Sequence, residues 1–264
     1  MFARAFFSVM GVTDPAKHRA YNEYHQLDHR PENLLLPGVA WGDRWVRSPD
    51  CAAASFGSDR NFDDSHYLAM YFLRHPLEET TTQWRQLGED AYQMGRRPDI
   101  AWRKNHFQSF LRPIKGYAAA RILISPDALP FRPVRGVHFT LSQFDGKAGE
   151  THEAFAWYDR VRIPDLLDCR GVAGAWTFVG EDVYAQSPGA SSQGASRQGT
   201  PPATRITLLY LDEDPLQVLD DIRAKEASWR AAGRSRDNSA VEDVRFGSPY
   251  RTIVPWEWDW FDSR

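Results

Sequence analysis

At 264 residues the chain has room for one large domain or two of ordinary size, and 42% hydrophobic with 25% charged residues is the balance of a globular protein with a sizeable core. A formal charge of −3 supplies no basic field, which excludes nucleic acid and anionic membrane surfaces as expected partners. Two cysteines, Cys51 and Cys169, can form neither a disulfide framework nor a C-x-x-C site, and the apolar N-terminal run is too short for a signal segment, so a cytoplasmic location is expected.

In chain order, residues 2–9 read as a strand and 15–34 as an amphipathic helix. A turn through Pro37-Gly38 then opens a second strand over 39–47. A turn-rich loop (48–65) precedes a third strand (66–74), a helix (76–95) that starts at a proline, and a final strand (107–117). The same order recurs as strand 135–143, helix 151–168, a turn at Arg170-Gly171, strands 172–180 and 204–212, helix 215–232 and strand 244–256. The segments Tyr24–Ala40 and Trp157–Ala173 align without a gap, setting Pro31 on Pro164 and Gly38 on Gly171, an offset of 133 residues. Later the offset becomes 139, with Tyr71 on Tyr210, Phe107 on Phe246 and Arg112 on Arg251. Ordered similarity across nearly the whole chain indicates a tandem duplication.

Each copy is a β-α-β-β-α-β unit. The expected fold is therefore α+β: two tandem ferredoxin-like units packed sheet to sheet as an α/β barrel, the first over 1–118 and the second over 134–264. Residues 119–133 read as a linker. The stretch 186–204, rich in Ser, Gly, Gln and Pro, reads as a disordered loop. Both loops between second and third strands are candidate lids or tolerated insertions.

The run Tyr24-x4-His29-x-Pro31, followed by Leu36-Pro37-Gly38-Val39, resembles the EthD-like branch of the dimeric α/β-barrel superfamily. The resemblance implies two ferredoxin-like sheets packed face to face, here within one chain, and carries the family's histidine onto His29. The second copy departs from the motif, with Arg162 at that position. Activities in the superfamily include cofactor-independent monooxygenases, lactone isomerases, polyketide cyclases, aldoxime dehydratases and haem-dependent peroxidase-like enzymes. The resemblance narrows the site more than the chemistry.

On a helical wheel His18, Asn22, His25 and His29 fall within about 60° of one another, along the flank of the apolar arc of Tyr21, Tyr24 and Leu27. An imidazole there can exchange a proton near neutral pH, or it can satisfy a backbone carbonyl at a helix edge. His25 and His29 lack a third ligand, so no metal is expected. In the second strand Val39, Trp41, Asp43 and Trp45 share one face, as do Val172, Gly174, Trp176 and Phe178. The small residues Ala40 and Gly42 share the other face with Arg44, which leaves room for a packed helix or a ligand cleft.

Tyr71 is a candidate to orient or protonate an oxygen, Tyr24 and Arg44 to bind substrate, and Trp84 to form an apolar wall. His138 alternates onto the polar side of its strand with Thr140 and Ser142. Trp256, Trp258 and Trp260 alternate as an extended segment would, with three indoles on one side. No nucleotide-binding loop, nucleophile elbow or reactive cysteine setting occurs.

These features lead to the expectation of a small-molecule enzyme working without a cofactor, by acid/base chemistry as a lyase, isomerase, cyclase or monooxygenase on an aromatic or largely apolar substrate. The expected site is His29, His25 and Tyr71, with Tyr24, Arg44, Trp84 and His138 binding substrate, and the working cleft in the first copy. The alternatives are a non-catalytic ligand-binding or accessory protein and a haem-dependent enzyme. A homodimer is compatible with the sequence.

Overall fold

The computed structural model of the protein describes residues 2–97, 101–144, 148–180 and 203–262. The expected loop at 186–204 lies almost entirely outside the described residues. Eight antiparallel strands close into a barrel in the order β1-β3-β2-β8-β5-β7-β6-β4, with β4 pairing back onto β1. They are β1 (Arg4–Val12), β2 (Val39–Val46), β3 (Tyr67–Leu73), β4 (Arg103–Ala118), β5 (Gly136–Phe144), β6 (Val172–Gly180), β7 (Ala203–Leu211) and β8 (Glu242–Thr252). Within this ring β4-β1-β3-β2 and β8-β5-β7-β6 are the two ferredoxin-like sheets, so the fold is two tandem βαββαβ units packed as a dimeric-type α/β barrel. The units meet at a longer seam, where Arg112–Ala118 pairs with Gly174–Val179, and at a short one, where Trp45 and Val46 pair with Thr252 and Arg251.

Strand alternation explains both faces. In β5 the apolar Val137, Phe139 and Leu141 enter the barrel core, where they meet Phe7, Met70, Phe72, Phe178 and Leu208. The alternate residues of each strand face the outer helix layer. That layer consists of α1 (18–34), α2 (Leu77–Gln93), α3 (148–167) and α4 (Pro215–Ala231). Inner and outer faces are thus both covered, and the space that helices leave above the outer face is where ligands can enter.

Two local irregularities reshape the sequence-based picture. α1 is not a uniform helix: it is α-helical over His18–Asn22, π-helical over Glu23–His29 and α-helical again over Arg30–Leu34. α3 repeats this, with a π segment at Tyr158–Arg162. A proline follows each wide turn, Pro31 and Pro164, and its ring has no N–H to give to the carbonyl four residues back and would collide with it. Opening the turn relieves that conflict, and such π segments recur at functional sites. The second irregularity is a bulge near the start of β2 and of β6, which turns Val39 and Val172 toward the helices, whereas the bulky faces from Trp41 and Gly174 onward run as the alternation predicts.

Three expectations need correction. Tyr71 does not correspond to Tyr210. Tyr71 faces outward opposite Phe6, whereas Tyr210 points into the barrel opposite Val137, so its counterpart is Phe72. A one-residue slip in a strand exchanges faces. Residues 119–133 are more than a linker: Leu129 is fully buried in the barrel core, Phe131 packs on Trp41 at 5.3 Å, and the indole N–H of Trp176 donates to the Pro126 carbonyl at 3.0 Å. The C-terminal indoles do not form a strand. β8 ends at Thr252, Trp256 is exposed in a left-handed conformation, Trp258 is buried, and Phe261 stacks on His18 at 4.1 Å. The tail therefore wraps back onto the first unit.

Candidate functional site

Each unit carries a cleft between its helices and the outer face of its sheet. The first, about 340 Å³, is bounded by Phe6, Ser8 and Met10 of β1, Arg44 of β2, Ala69 and Tyr71 of β3, Tyr21, His25 and His29 of α1, Trp84 of α2, and Asn105, Gln108 and Phe110 of β4. The second, about 290 Å³, uses the corresponding elements of the other unit, with His138, Thr140, Tyr158, Arg162, Thr207 and Leu209.

The first cleft brings together His25, His29, Arg44, Tyr71 and Trp84. His138 lies in the second cleft. Tyr24 sits behind His29, stacked on its ring at 5.4 Å with a 3.5 Å hydroxyl contact to Nδ1. His18, on the same flank of the wheel, belongs to a separate buried group with Tyr67, His66 and Phe261. The room expected over Gly42 is taken by the Tyr71 ring, since a Cβ at Gly42 would stand 2.0 Å from it. Missing from the sequence reading were the arginines: Arg85, Arg97 and Arg103 also line the cleft. They come from the middle of α2, the segment after it and the start of β4, remote from the histidine motif. For Arg97 and Arg103 the signal was a run of cations between α2 and β4, and Arg85 left none.

The π segment sets the two imidazoles one turn apart, with ring centroids 5.5 Å apart and nearly perpendicular. His25 Nδ1 is 2.9 Å from the Tyr21 carbonyl, so the proton sits on Nδ1 and donates to it, leaving the Nε2 lone pair with no partner among the described residues. His29 is more tightly held, because the Asn33 amide is 3.2 Å from its Nε2 and Tyr24 backs its Nδ1. Burial, then Arg44, His29 and Arg103, hold His25 well below the usual imidazole range. Burial, then Arg97, Arg44 and Arg103, lower His29 to about 4. Both rings are neutral at pH 7.

Arg44 is buried and anchored. It donates to Asn22 Oδ1 at 3.3 Å and Gln26 Oε1 at 3.4 Å, and its guanidinium lies over the rings of Tyr21 and Tyr67. Asn22 in turn donates to the Tyr67 hydroxyl, which meets His18 Nδ1 at 2.8 Å. None of these groups is a carboxylate, so the Arg44 guanidinium has no ion-pair partner among the described residues, although the Asp43 carboxylate feels its charge. Tyr71 packs edge-on against Trp84 at 5.0 Å, and burial raises its phenol, an effect opposed by Asn33 and Arg44. Among the described residues no three His, Cys, Asp or Glu side chains gather as a metal site requires.

A stability consequence follows. The imidazoles of His18, His29, His66 and His138 are each lowered from 6.5 to about 4, with burial the largest cause. Between those values the unfolded chain binds more protons than the folded one, so stability is full above about pH 6.5 and falls as pH drops toward 4. Urea midpoints measured across this window should decline steadily, and His29→Gln should make the decline shallower.

No protein-family model matches the chain, and no curated protein matches it in sequence. Solved structures do match in fold. An anthrone oxidase-like protein aligns over 96% of this chain and 92% of its own, with 13% identity and a TM-score of 0.53. A protein from Fusobacterium nucleatum named as a candidate monooxygenase aligns over 96% and 94%, with 8% identity and a TM-score of 0.50. A DypB variant from Rhodococcus jostii in complex with heme aligns over 99% and 96%, with 8% identity and a TM-score of 0.49. At these identities the likeness shows the fold alone, an α/β barrel of two ferredoxin-like sheets. The expectation of a protein without a cofactor is corrected here, because heme-bound structures stand among the matches. No helix among the described residues is long and apolar enough to cross a membrane.

Proposed function

We propose that the chain is a small-molecule enzyme of the α/β-barrel type, working in the first cleft on an aromatic or largely apolar molecule that carries an acidic oxygen. The observation that carries this reading is one arrangement: two neutral imidazoles and a buried Arg44, whose guanidinium has no ion-pair partner among the described residues, face a cavity walled by Phe6, Trp84 and Phe110. Aromatic walls with a few convergent polar groups suit such a ligand. Burial and, after it, the charge of Arg44 keep His25 neutral, and a carboxylate, phenolate or enolate paired with Arg44 would offset the second of these. Its arrival would raise the His25 pKa toward neutrality, where an imidazole transfers protons best. His25, with its free Nε2, is thereby the proton-transfer group. His29, fixed by Asn33 and Tyr24, positions it, and Tyr71 orients the substrate oxygen. The oxidase and monooxygenase names of two structures with this fold favour an oxidation as the reaction class. The EthD-like branch and an origin by duplication rest on the histidine motif and the repeat.

Haem is compatible with the same cleft. A histidine that gives Nδ1–H to a carbonyl and keeps Nε2 open is the usual form of an imidazole ligand, so His25 would hold the iron. Arg85 and Arg97, which have no carboxylate partner among the described residues, would face the propionates. Bound there, haem would supply one-electron and oxygen chemistry. His29, Arg44 and Tyr71 would still bind and orient the small molecule.

The reading is tested by titrating the purified protein with hemin, recording the Soret band, and assaying loaded and unloaded samples on a panel that begins with anthrone. Turnover by either form, abolished in the His25→Ala variant, is expected. A panel bound without conversion by both forms would replace this reading with a non-catalytic ligand-binding protein.

A further inference from the structure

The second cleft is more than a vestige of the first. Its wall is mostly apolar, with Leu166, Leu209 and Ile222 among its residues, yet the sheet places His138 in it, 8% exposed, with Nε2 buried and without a hydrogen-bond partner among the described residues. The other ring nitrogen, Nδ1, is 3.4 Å from the Thr140 hydroxyl. An orphaned imidazole nitrogen at the wall of an apolar cavity costs free energy unless something fills the place of its partner. A second orphan is nearby: Arg205, 4% exposed, has its Nε unpartnered, although its terminal nitrogen reaches Asp159 at 3.3 Å.

The site also has a cover supplied by the other unit. Phe56, from the loop after β2, stacks over His138 at 5.9 Å and 22°. The loop is pinned there by paired backbone bonds between Phe56 and Gly247 at 2.9 and 2.8 Å. Gly247 has no alternative, because a Cβ would stand 2.3 Å from the Phe56 ring. Each arginine around the cavity has a carboxylate partner, Arg162 with Glu226 at 2.5 Å, Arg205 with Asp159 at 3.3 Å and Arg223 with Asp220 at 3.1 Å, and Tyr158 donates to Glu242 at 2.8 Å. An occupant therefore needs no strong charge. What it needs is an acceptor oxygen for an imidazole N–H, which is the form His138 takes when Nδ1 accepts from Thr140.

We propose that the second cleft is a binding site for a small, largely apolar carbonyl compound, its oxygen accepting from His138 Nε2 and its apolar body lying beneath Phe56. This inference is independent of the function assigned to the first cleft. It is tested by calorimetric titration with 2-acetylnaphthalene, a neutral aryl ketone, and with 2-ethylnaphthalene, which lacks the oxygen. The ketone should bind saturably and about tenfold more tightly than the hydrocarbon, the worth of one buried hydrogen bond. His138→Phe should erase that difference. Thr207→Trp, which puts an indole into the cavity from the middle of β7, should abolish binding while the protein melts as a folded chain. Should His138→Phe fail to fold, Thr207→Trp and the ketone–hydrocarbon comparison still decide. The proposal is overturned by absence of saturable ketone binding, by equal affinity for the two compounds, or by binding that survives Thr207→Trp and is lost in Ala69→Trp, which would put the probe in the first cleft.

Discussion

His25→Ala is expected to lower turnover on any substrate of the first cleft by ~10²–10⁴-fold, the usual loss when a proton-transfer group is removed. The ring is half-buried, bonds only to the Tyr21 carbonyl among the described residues and packs on Tyr21 at 4.1 Å, so its removal leaves the barrel core untouched. His29→Ala should cost less, because His29 is held by Asn33 and Tyr24 and acts through position. A pH–rate profile separates the two roles. His29→Ala should shift the limb belonging to His25, since each imidazole lowers the other's affinity for protons, whereas His25→Ala should remove the limb. Equal rates in His25→Ala and the parent protein would rule out proton transfer by this residue.

Arg44→Leu is expected to weaken binding of an aromatic carboxylate by about 10²-fold, the worth of a charge-assisted hydrogen bond made in a desolvated site. Stability should fall too. Asn22 Oδ1 and Gln26 Oε1 would lose their donor, and the two tyrosine rings would lose the cation between them. Arg44→Lys keeps the charge but not the planar fork, so it should recover part of the affinity and less of the stability. Titration with 2-naphthoate, alongside urea unfolding of each variant, measures both effects. An affinity insensitive to Arg44→Leu would mean that the anionic group of the ligand lies elsewhere in the cleft.

The barrel was legible because its determinants are local and repeated. Strand alternation, the Pro31 and Pro164 motifs and the order of elements all recur, and the eight strands fall within a few residues of the expected spans. Errors arose where one residue of phase decides a face. The bulges in β2 and β6 and the slip that makes Phe72 the counterpart of Tyr210 leave no mark in composition. The indole alternation at Trp256–Trp260 looked like a strand but has no partner strand after Thr252, and Pro255 stands between it and β8. At the site, the motif located one helix, the alternation located Arg44, and Tyr71 was singled out by the repeat alignment with Tyr210. Arg85, Arg97 and Arg103 were not found, because only the closed sheet brings α2 and β4 over α1. His138 was recognised as a pocket residue, but it belongs to the other pocket, a distinction that belongs to tertiary structure and not to spacing.

The claim that chemistry resides in the first cleft is tested most directly by filling that cleft. Ala69, at the middle of β3, lies opposite Ser8 on one side and Arg44 on the other, and its side chain faces the cavity. In Ala69→Trp the added indole occupies space that is otherwise open to ligand, without displacing the barrel core on the other face of the strand. Turnover on the substrate panel should fall below detection while the protein melts cooperatively near the parent temperature. A folded Ala69→Trp protein that turns substrate over at the parent rate would contradict the account.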